Sequence, residues 1–171
     1  MNLLIPAAAL VLLAPGQAPE VSEARAKVML LEKLVRFVEW PGEAPPADQS
    51  FVIGVVGRTP FGDELDEYFR KRTLKGRPVR IRYFRGPQDA EACDLLFVCA
   101  SEREALPALL AKVRQRPVLT LTESPGFTKA GVMVGMVREG DHMAFEVNLG
   151  RARESGFRIA PGLLQLAKVQ G

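Results

Sequence analysis

Two short, uninterrupted apolar runs constrain this chain more than any other feature. Phe51 to Val56 (FVIGVV) and Leu95 to Cys99 (LLFVC) present no polar face. Runs of this length suit strands better than helices, and a strand that is apolar on both sides must be covered on both sides. Segments of helical period alternate with them. Residues 23 to 39 place Val28, Leu31, Val35 and Val38 on one helical face, with Arg25, Glu32, Arg36 and Glu39 opposite, and Glu32 precedes Arg36 by the four residues that favour an ion pair. Trp40-Pro41 ends that helix, because a residue before proline is driven out of the α region. Residues 42 to 48 then form a loop.

After the first run, Gly57-Arg58-Thr59-Pro60 turns into a helix expected from Pro60 to about Arg72, with Thr59 as N-cap and Pro60 in the first turn. Lys75-Gly76 is a turn, and Val79 to Phe84 alternates Val79, Ile81 and Tyr83 against Arg80 and Arg82, as a half-exposed strand does. Ser101 and Glu104 have the capping-box spacing ahead of a helical face of Leu106, Leu109, Leu110 and Val113; Pro107 kinks this helix or delays its start. Val118 to Leu121 is a short strand. Val132 to Val137 and His142 to Leu149 are strands joined by Glu139-Gly140-Asp141, a hairpin signal. A short helix follows and ends at Gly156, and Pro161 opens a last one with Leu163, Leu164 and Ala167 on its face. The sum is an α/β fold, a three-layer domain with a mixed, mostly parallel sheet of five or six strands and a C-terminal antiparallel hairpin. With 171 residues, 47% of them hydrophobic, the chain supports one core and hardly two.

Residues 1 to 18 carry no charge and hold an apolar stretch from Leu3 to Leu13, which reads as a signal peptide ahead of a single domain over 19–171. The alternative is an apolar helix that stays in the fold; the stretch is short of the ~20 residues that span a bilayer. Export raises the question of a disulfide. Cys93 and Cys99, on one face of one strand, would lie about 20 Å apart, against the roughly 7 Å that a disulfide tolerates, so they are expected as half-buried thiols.

The net charge is +3, yet eight Lys or Arg and no Asp or Glu fall between Arg70 and Arg85. Such a run is a solvated face or an anion-binding one. Without interleaved aromatics or a recognition helix it does not suit nucleic acid. His142 is the only histidine, and no HExxH, CxxC, GxSxG, P-loop or GxGxxG is present, so no catalytic residue, metal site or cofactor is expected. Arg58 and Thr59 stand where open α/β sheets bind ligands, at a strand's carboxyl end, although helix capping explains them equally well. Trp40 either caps the core or is an interface anchor.

The ordered series Phe37-Val38-Glu39-Trp40-Pro41, Phe51 to Gly57 with Pro60-Phe61-Gly62, Gly76-Arg77-Pro78-Val79, Cys93 with Leu95-Leu96-Phe97, Pro117-Val118-Leu119-Thr120, Gly126-Phe127 with Gly131, Phe145-Glu146-Val147-Asn148-Leu149, and Leu163-Leu164 with Leu166-Ala167 resembles the YfiR family (DUF4154) from about residue 25 to the end. The resemblance implies a periplasmic α/β protein that dimerises and acts as a negative regulator. Its partner would be the periplasmic domain of an inner-membrane signalling protein, a YfiN-like diguanylate cyclase whose repression limits cyclic di-GMP signalling and biofilm formation. Glu146, Arg158, Ile159, Leu163 and Leu164 match the family's C-terminal segment and are expected to form the partner surface, unless Ile159, Leu163 and Leu164 simply close the core. Glu146 and Arg158 are expected on polar faces that tolerate charge reversal. Relatives often carry further cysteines that form disulfides; here Cys93 has no partner at disulfide distance. The other readings are a periplasmic small-molecule binding module with its ligand in the sheet crevice, and a hydrolase with an unrecognised site.

Overall fold

The computed structural model describes residues 21–90, 92–140 and 142–170. The expected signal peptide lies outside them. In chain order the elements are α1 (Glu23–Arg36), β1 (Val38–Glu39), β2 (Phe51–Val56), α2 (Glu64–Phe69), β3 (Thr73–Leu74), β4 (Arg77–Phe84), β5 (Leu95–Val98), α3 (Leu106–Val113), β6 (Leu119–Thr122), β7 (Val134–Glu139), β8 (His142–Asn148), α4 (Leu149–Glu154), β9 (Arg158–Ile159), α5 (Pro161–Leu164) and β10 (Ala167–Gln170).

The apolar runs became β2 and β5, adjacent and parallel near the middle of an eight-stranded sheet of order β10-β8-β7-β6-β5-β2-β4-β3. Only β7 with β8 and β3 with β4 are antiparallel in it, so the sheet is mixed and mostly parallel as expected. Along β2 and β5 alternate side chains go to opposite layers. Phe51, Ile53, Val55, Leu95 and Phe97 pack with Val28, Leu31, Leu34 and Val35 of α1 and Leu65 and Phe69 of α2. Val56, Leu96 and Val98 pack on the other side with Leu106, Leu109 and Val113 of α3. Each fully buried Leu, Val or Phe contributes roughly 1.5–3 kcal/mol, and the continuous runs allow both layers to collect that stabilisation. Gly54 permits the second layer its close packing: a Cβ there would lie 2.4 Å from the Phe84 ring.

Six strands match the expected ones, and the two extra strands are the sheet's outer edges. Thr73-Leu74 pairs back on Pro78 and Arg77 through the Lys75-Gly76 turn, whose two residues both take positive φ, 52° and 74°. Ala167 belongs to β10 rather than to the face of the last helix, because α5 stops at Leu164 and the free edge of β8 pairs with Ala167 to Gln170. Unpaired strand edges carry unsatisfied backbone groups that attract such pairing.

Three helix boundaries differ from expectation for reasons of the same kind. α1 ends at Arg36, and Val38 and Glu39 leave it to pair antiparallel with Ile159 and Arg158 in a separate two-stranded ribbon. α2 begins at Glu64, not Pro60: the Thr59 hydroxyl accepts from the Phe61 N–H at 3.2 Å, and the turn thus formed inserts Phe61 into the core, 4.7 Å from the Phe97 ring. Ser101 and Glu104 form no capping box; Ala100–Glu102 is a 3-10 turn, and α3 starts late with Pro107 in its first turn. The Glu32–Arg36 pair is present at 3.0 Å.

Candidate functional site

The amino ends of the central strands are tied together by one buried ion pair. Arg77 has the same strand parity as Val79 and Ile81, so its side chain turns inward, and only 5% of the residue is exposed. Its Nη1 and Nη2 donate to Oδ1 and Oδ2 of Asp94 at 2.8 and 3.0 Å, and Nε and Nη2 donate to the carbonyls of Gln49 and Ser50 at 2.9 and 2.6 Å. This is the bidentate fork that makes an arginine–carboxylate pair strong. Asp94 Oδ2 also accepts from the Val52 N–H at 2.7 Å, and the Asp94 carbonyl accepts from Trp40 Nε1 at 3.1 Å and from the Leu119 N–H at 3.0 Å. Asp94 therefore connects β2, β4, β5 and β6 to the end of β1.

Trp40 is held by that hydrogen bond and by edge-on contacts with Phe51 and Phe157, centroids 5.4 and 5.6 Å away. Beside it opens a cleft of about 240 Å³, lined by Trp40, Pro41, Gly42, Glu43, Ala44, Pro45, Phe51, Lys75, Arg77, Asp94 and Pro117. Lys75 Nζ stands 5.7 Å from the centre of the Trp40 ring. Partial burial pushes the Lys75 pKa below its ordinary value, with Glu39 opposing the shift. Arg77 and Asp94 were not singled out in the sequence. The signals were there: an arginine in the inward phase of a strand, and an aspartate at the head of an apolar run.

The opposite end of the sheet carries Arg58 and Thr59. Arg58 is exposed, and its backbone N–H donates to Ser101 Oγ at 3.0 Å. At Gly57, φ is 95° and a Cβ would lie 2.3 Å from Ser101 Oγ and 2.7 Å from Glu102 Oε1. The space beside this corner is filled by the chain itself.

The five residues expected at the partner surface do not share one face. Arg158 is exposed on β9, its Nε 3.0 Å from Glu39 Oε2 across the ribbon. Ile159 and Leu163 are buried in the layer of α1 and α2, and Leu164 is half-buried against it. Glu146 alternates with Phe145 and Val147, which pack in that same layer, so it points to the other side of the sheet. There it accepts from the buried Thr128 hydroxyl at 2.7 Å, while Asn148 Nδ2 donates to the Thr128 carbonyl at 2.8 Å. Glu146 thus ties the 126–131 loop to β8 through a bond that charge reversal would break. Asn148 also caps α4, its Oδ1 accepting from the Arg151 N–H at 2.9 Å.

Cys93 and Cys99 are free, but they lie in different layers rather than on one face. Cys93 precedes β5, so strand alternation does not extend to it. Burial pushes both thiols up to about 12, and neither has the thiolate character of a nucleophile. His142 is exposed at the start of β8. Among the described residues no group of three His, Cys, Asp or Glu is placed to hold a metal ion, and no helix is long and apolar enough to cross a membrane.

The arrangement recurs in solved structures. A conserved domain protein from Vibrio cholerae superposes with a TM-score of 0.60 at 13% identity, over 88% of this chain and 60% of that one. An ABC domain in complex with L-Trp from Streptococcus pneumonia superposes with a TM-score of 0.53 at 12% identity, over 85% of this chain and 59% of that one. The likeness is one of fold, and the chain spans about 60% of the length of each. The model of the YfiR/HmsC-like family matches residues 24–168, from α1 into β10, and the chain belongs to that family.

Proposed function

We propose that the chain is a periplasmic regulatory protein, exported by a leader over residues 1 to 18 and folded as a single domain over 19–171. In this reading it works as a homodimer that represses a membrane-bound, YfiN-like diguanylate cyclase by binding its periplasmic domain, and so limits cyclic di-GMP signalling and biofilm formation. Membership of the YfiR/HmsC-like family carries the reading, and it supports a regulatory rather than a catalytic role. Arg158 is the best-placed member of the expected surface, exposed on a ribbon that Val38 and Ile159 anchor to the core. Further along the chain Leu164 is half-buried and Leu166 is 66% exposed, and apolar side chains of this kind together with a charge suit an interface with polar specificity.

The test is affinity for the periplasmic domain of a membrane signalling protein encoded beside this chain. Arg158→Glu is expected to change stability by no more than about 0.5 kcal/mol, as surface substitutions do. It is expected to cost binding roughly 2–5 kcal/mol, the loss seen when a desolvated charge contact is broken. Reversal of Arg80 or Arg82 on β4 serves as control. Unchanged affinity in Arg158→Glu, with binding abolished by the β4 reversals, would place the partner on the basic strand and refute the assignment.

A further inference from the structure

The outer edge of β4 is an unfinished strand pairing. β3 covers only its first residues, Arg77 and Pro78, and β4 runs on to Phe84. The register shows which backbone groups this leaves over. The Val52 carbonyl accepts from the Asp94 N–H on the β5 side at 2.9 Å, so the groups of Ile53, one residue on, face β4. Ile53 lies opposite Ile81 in that parallel pair and bonds to the residues on either side of it, Arg80 and Arg82. The N–H and C=O groups of Ile81 and Tyr83 therefore point away from the sheet, and no backbone partner among the described residues takes them up. A row of this kind is a template for another strand.

The side chains along the edge select what can add to it. Arg80 and Arg82 are exposed on the face turned away from α1 and α2. Arg80 has no ion pair among the described residues, and Arg82 has only the Ala92 carbonyl at 3.4 Å and the Phe84 ring. The other face has the opposite character. Val79 and Ile81 pack half-buried on the layer of α1 and α2, and Tyr83 is 47% exposed with its hydroxyl donating to Asp66 of α2, a helix that also carries Glu64 and Glu67. On an added strand an acidic residue is thus favoured opposite the arginines and repelled on the α2 side, where an apolar one meets Ile81 and Tyr83. A second copy of this edge is disfavoured, because it sets arginine against arginine. An anionic bilayer would answer the arginines but leave the backbone groups unpaired.

We propose that the outer edge of β4 takes an extended segment of a partner protein as an added strand, one in which acidic residues alternate with apolar ones. Main-chain bonds to Ile81 and Tyr83 supply the pairing, and the alternation supplies the specificity. The inference goes beyond the repressor reading and does not depend on it. The probe is a short fluorescein-labelled peptide of alternating Glu and Val, titrated with the protein at neutral pH and followed by anisotropy. Saturable binding that weakens with added salt is expected, and none with a peptide of alternating Lys and Val. Arg80→Glu combined with Arg82→Glu is expected to weaken the Glu–Val peptide at least tenfold, about 1.4 kcal/mol, while melting close to the wild type, as exposed positions do. Two N-methylated forms of the peptide, one blocked at every Glu and one at every Val, test the backbone. Only one set of N–H groups on an added strand faces β4, so one form is expected to bind like the parent and the other at least tenfold more weakly. Equal affinity of the two forms, equal binding of the Lys–Val peptide, or full affinity in the double reversal would each overturn the proposal. So would phosphatidylglycerol vesicles that retain the wild type and release the double reversal while the Glu–Val peptide fails to bind, a result that gives the arginines to a membrane surface.

Discussion

Replacement of Asp94 by alanine tests the central structural argument. Arg77 would keep its two carbonyl partners but lose both charge-assisted bonds to the carboxylate, leaving a guanidinium that is only 5% exposed without a counter-ion. Removing one partner of such a buried pair costs about 3–5 kcal/mol. The Val52 N–H loses its acceptor in the same step. In a domain of this size 1 kcal/mol shifts the melting temperature by about 2–4 °C, so Asp94→Ala should melt roughly 6–20 °C early. Equilibrium denaturation followed by Trp40 emission gives the free energy. The double variant Arg77→Met with Asp94→Ala removes the stranded charge, and replacing both members of a buried pair by apolar groups is often near neutral. It should therefore recover more than half of the single variant's loss. A cost below about 1 kcal/mol for Asp94→Ala, or a double variant no more stable than the single one, would show that the pair behaves as a solvated surface bridge.

Three further outcomes follow from individual side chains. Glu32 is partly buried, which works against its charge, but hydrogen bonds from Tyr68 and Arg36 and the nearby Arg72 outweigh this and hold its pKa below 4.5; a depressed folded pKa gives stability that is present above the unfolded value and lost below it. Glu32→Gln should thus melt earlier than the wild type at neutral pH, with the gap closing as pH falls below 4.5, and a gap that is constant across that range would refute the linkage. Because both cysteines are free and their thiols lie near 12, native protein should react slowly with Ellman's reagent and melt alike with and without reductant; replacing both by alanine should cost about 1–2 kcal/mol of packing rather than the 2–5 of a lost disulfide. Glu146→Lys strands the Thr128 hydroxyl and sets a second ammonium opposite Lys168 on β10; the expected loss is about 1–3 kcal/mol, and a melting temperature equal to that of the wild type would return Glu146 to the list of free surface charges.

The parts of the fold that were legible are those specified by local pattern. FVIGVV and LLFV can be satisfied only between two layers, so the three-layer arrangement was readable from a few residues each. Alternation along β4 and β8 was equally readable, because a period of two fixes a side chain's face once the strand is known. The segments that misled are those whose state is decided by a distant partner. Val38-Glu39 completes the helical stripe of α1 by sequence, yet it pairs with Ile159 and Arg158 near the far end of the chain. Ala167 to Gln170 has no strand pattern of its own and adopts one because β8 has an open edge. Propensity over four residues is worth less than a row of unsatisfied backbone groups.

The same division explains the sites. Apolar Leu163 and Ile159, mixed in sequence with Glu146 and Arg158, suggested one interface, but matching a segment of a family does not reveal which side of a sheet each residue faces. Parity does: Glu146 is out of phase with Phe145 and Val147, and that phase alone separates it from the layer that holds Ile159 and Leu163. Parity applied to the basic run would likewise have picked Arg77 from its seven companions, since only position 77 shares the inward phase with Val79 and Ile81 within β4. A buried arginine requires a carboxylate, and the acidic residue at the amino end of β5, one strand beyond β2, is Asp94. The cleft could not be found this way. Its walls come from the segment after β1, the first residues of β2 and β4, the β3–β4 turn, Asp94 and the residue before Val118, and what brings them together is the Asp94 carbonyl accepting from Trp40, a contact between residues 54 positions apart that carries no mark in the sequence of either.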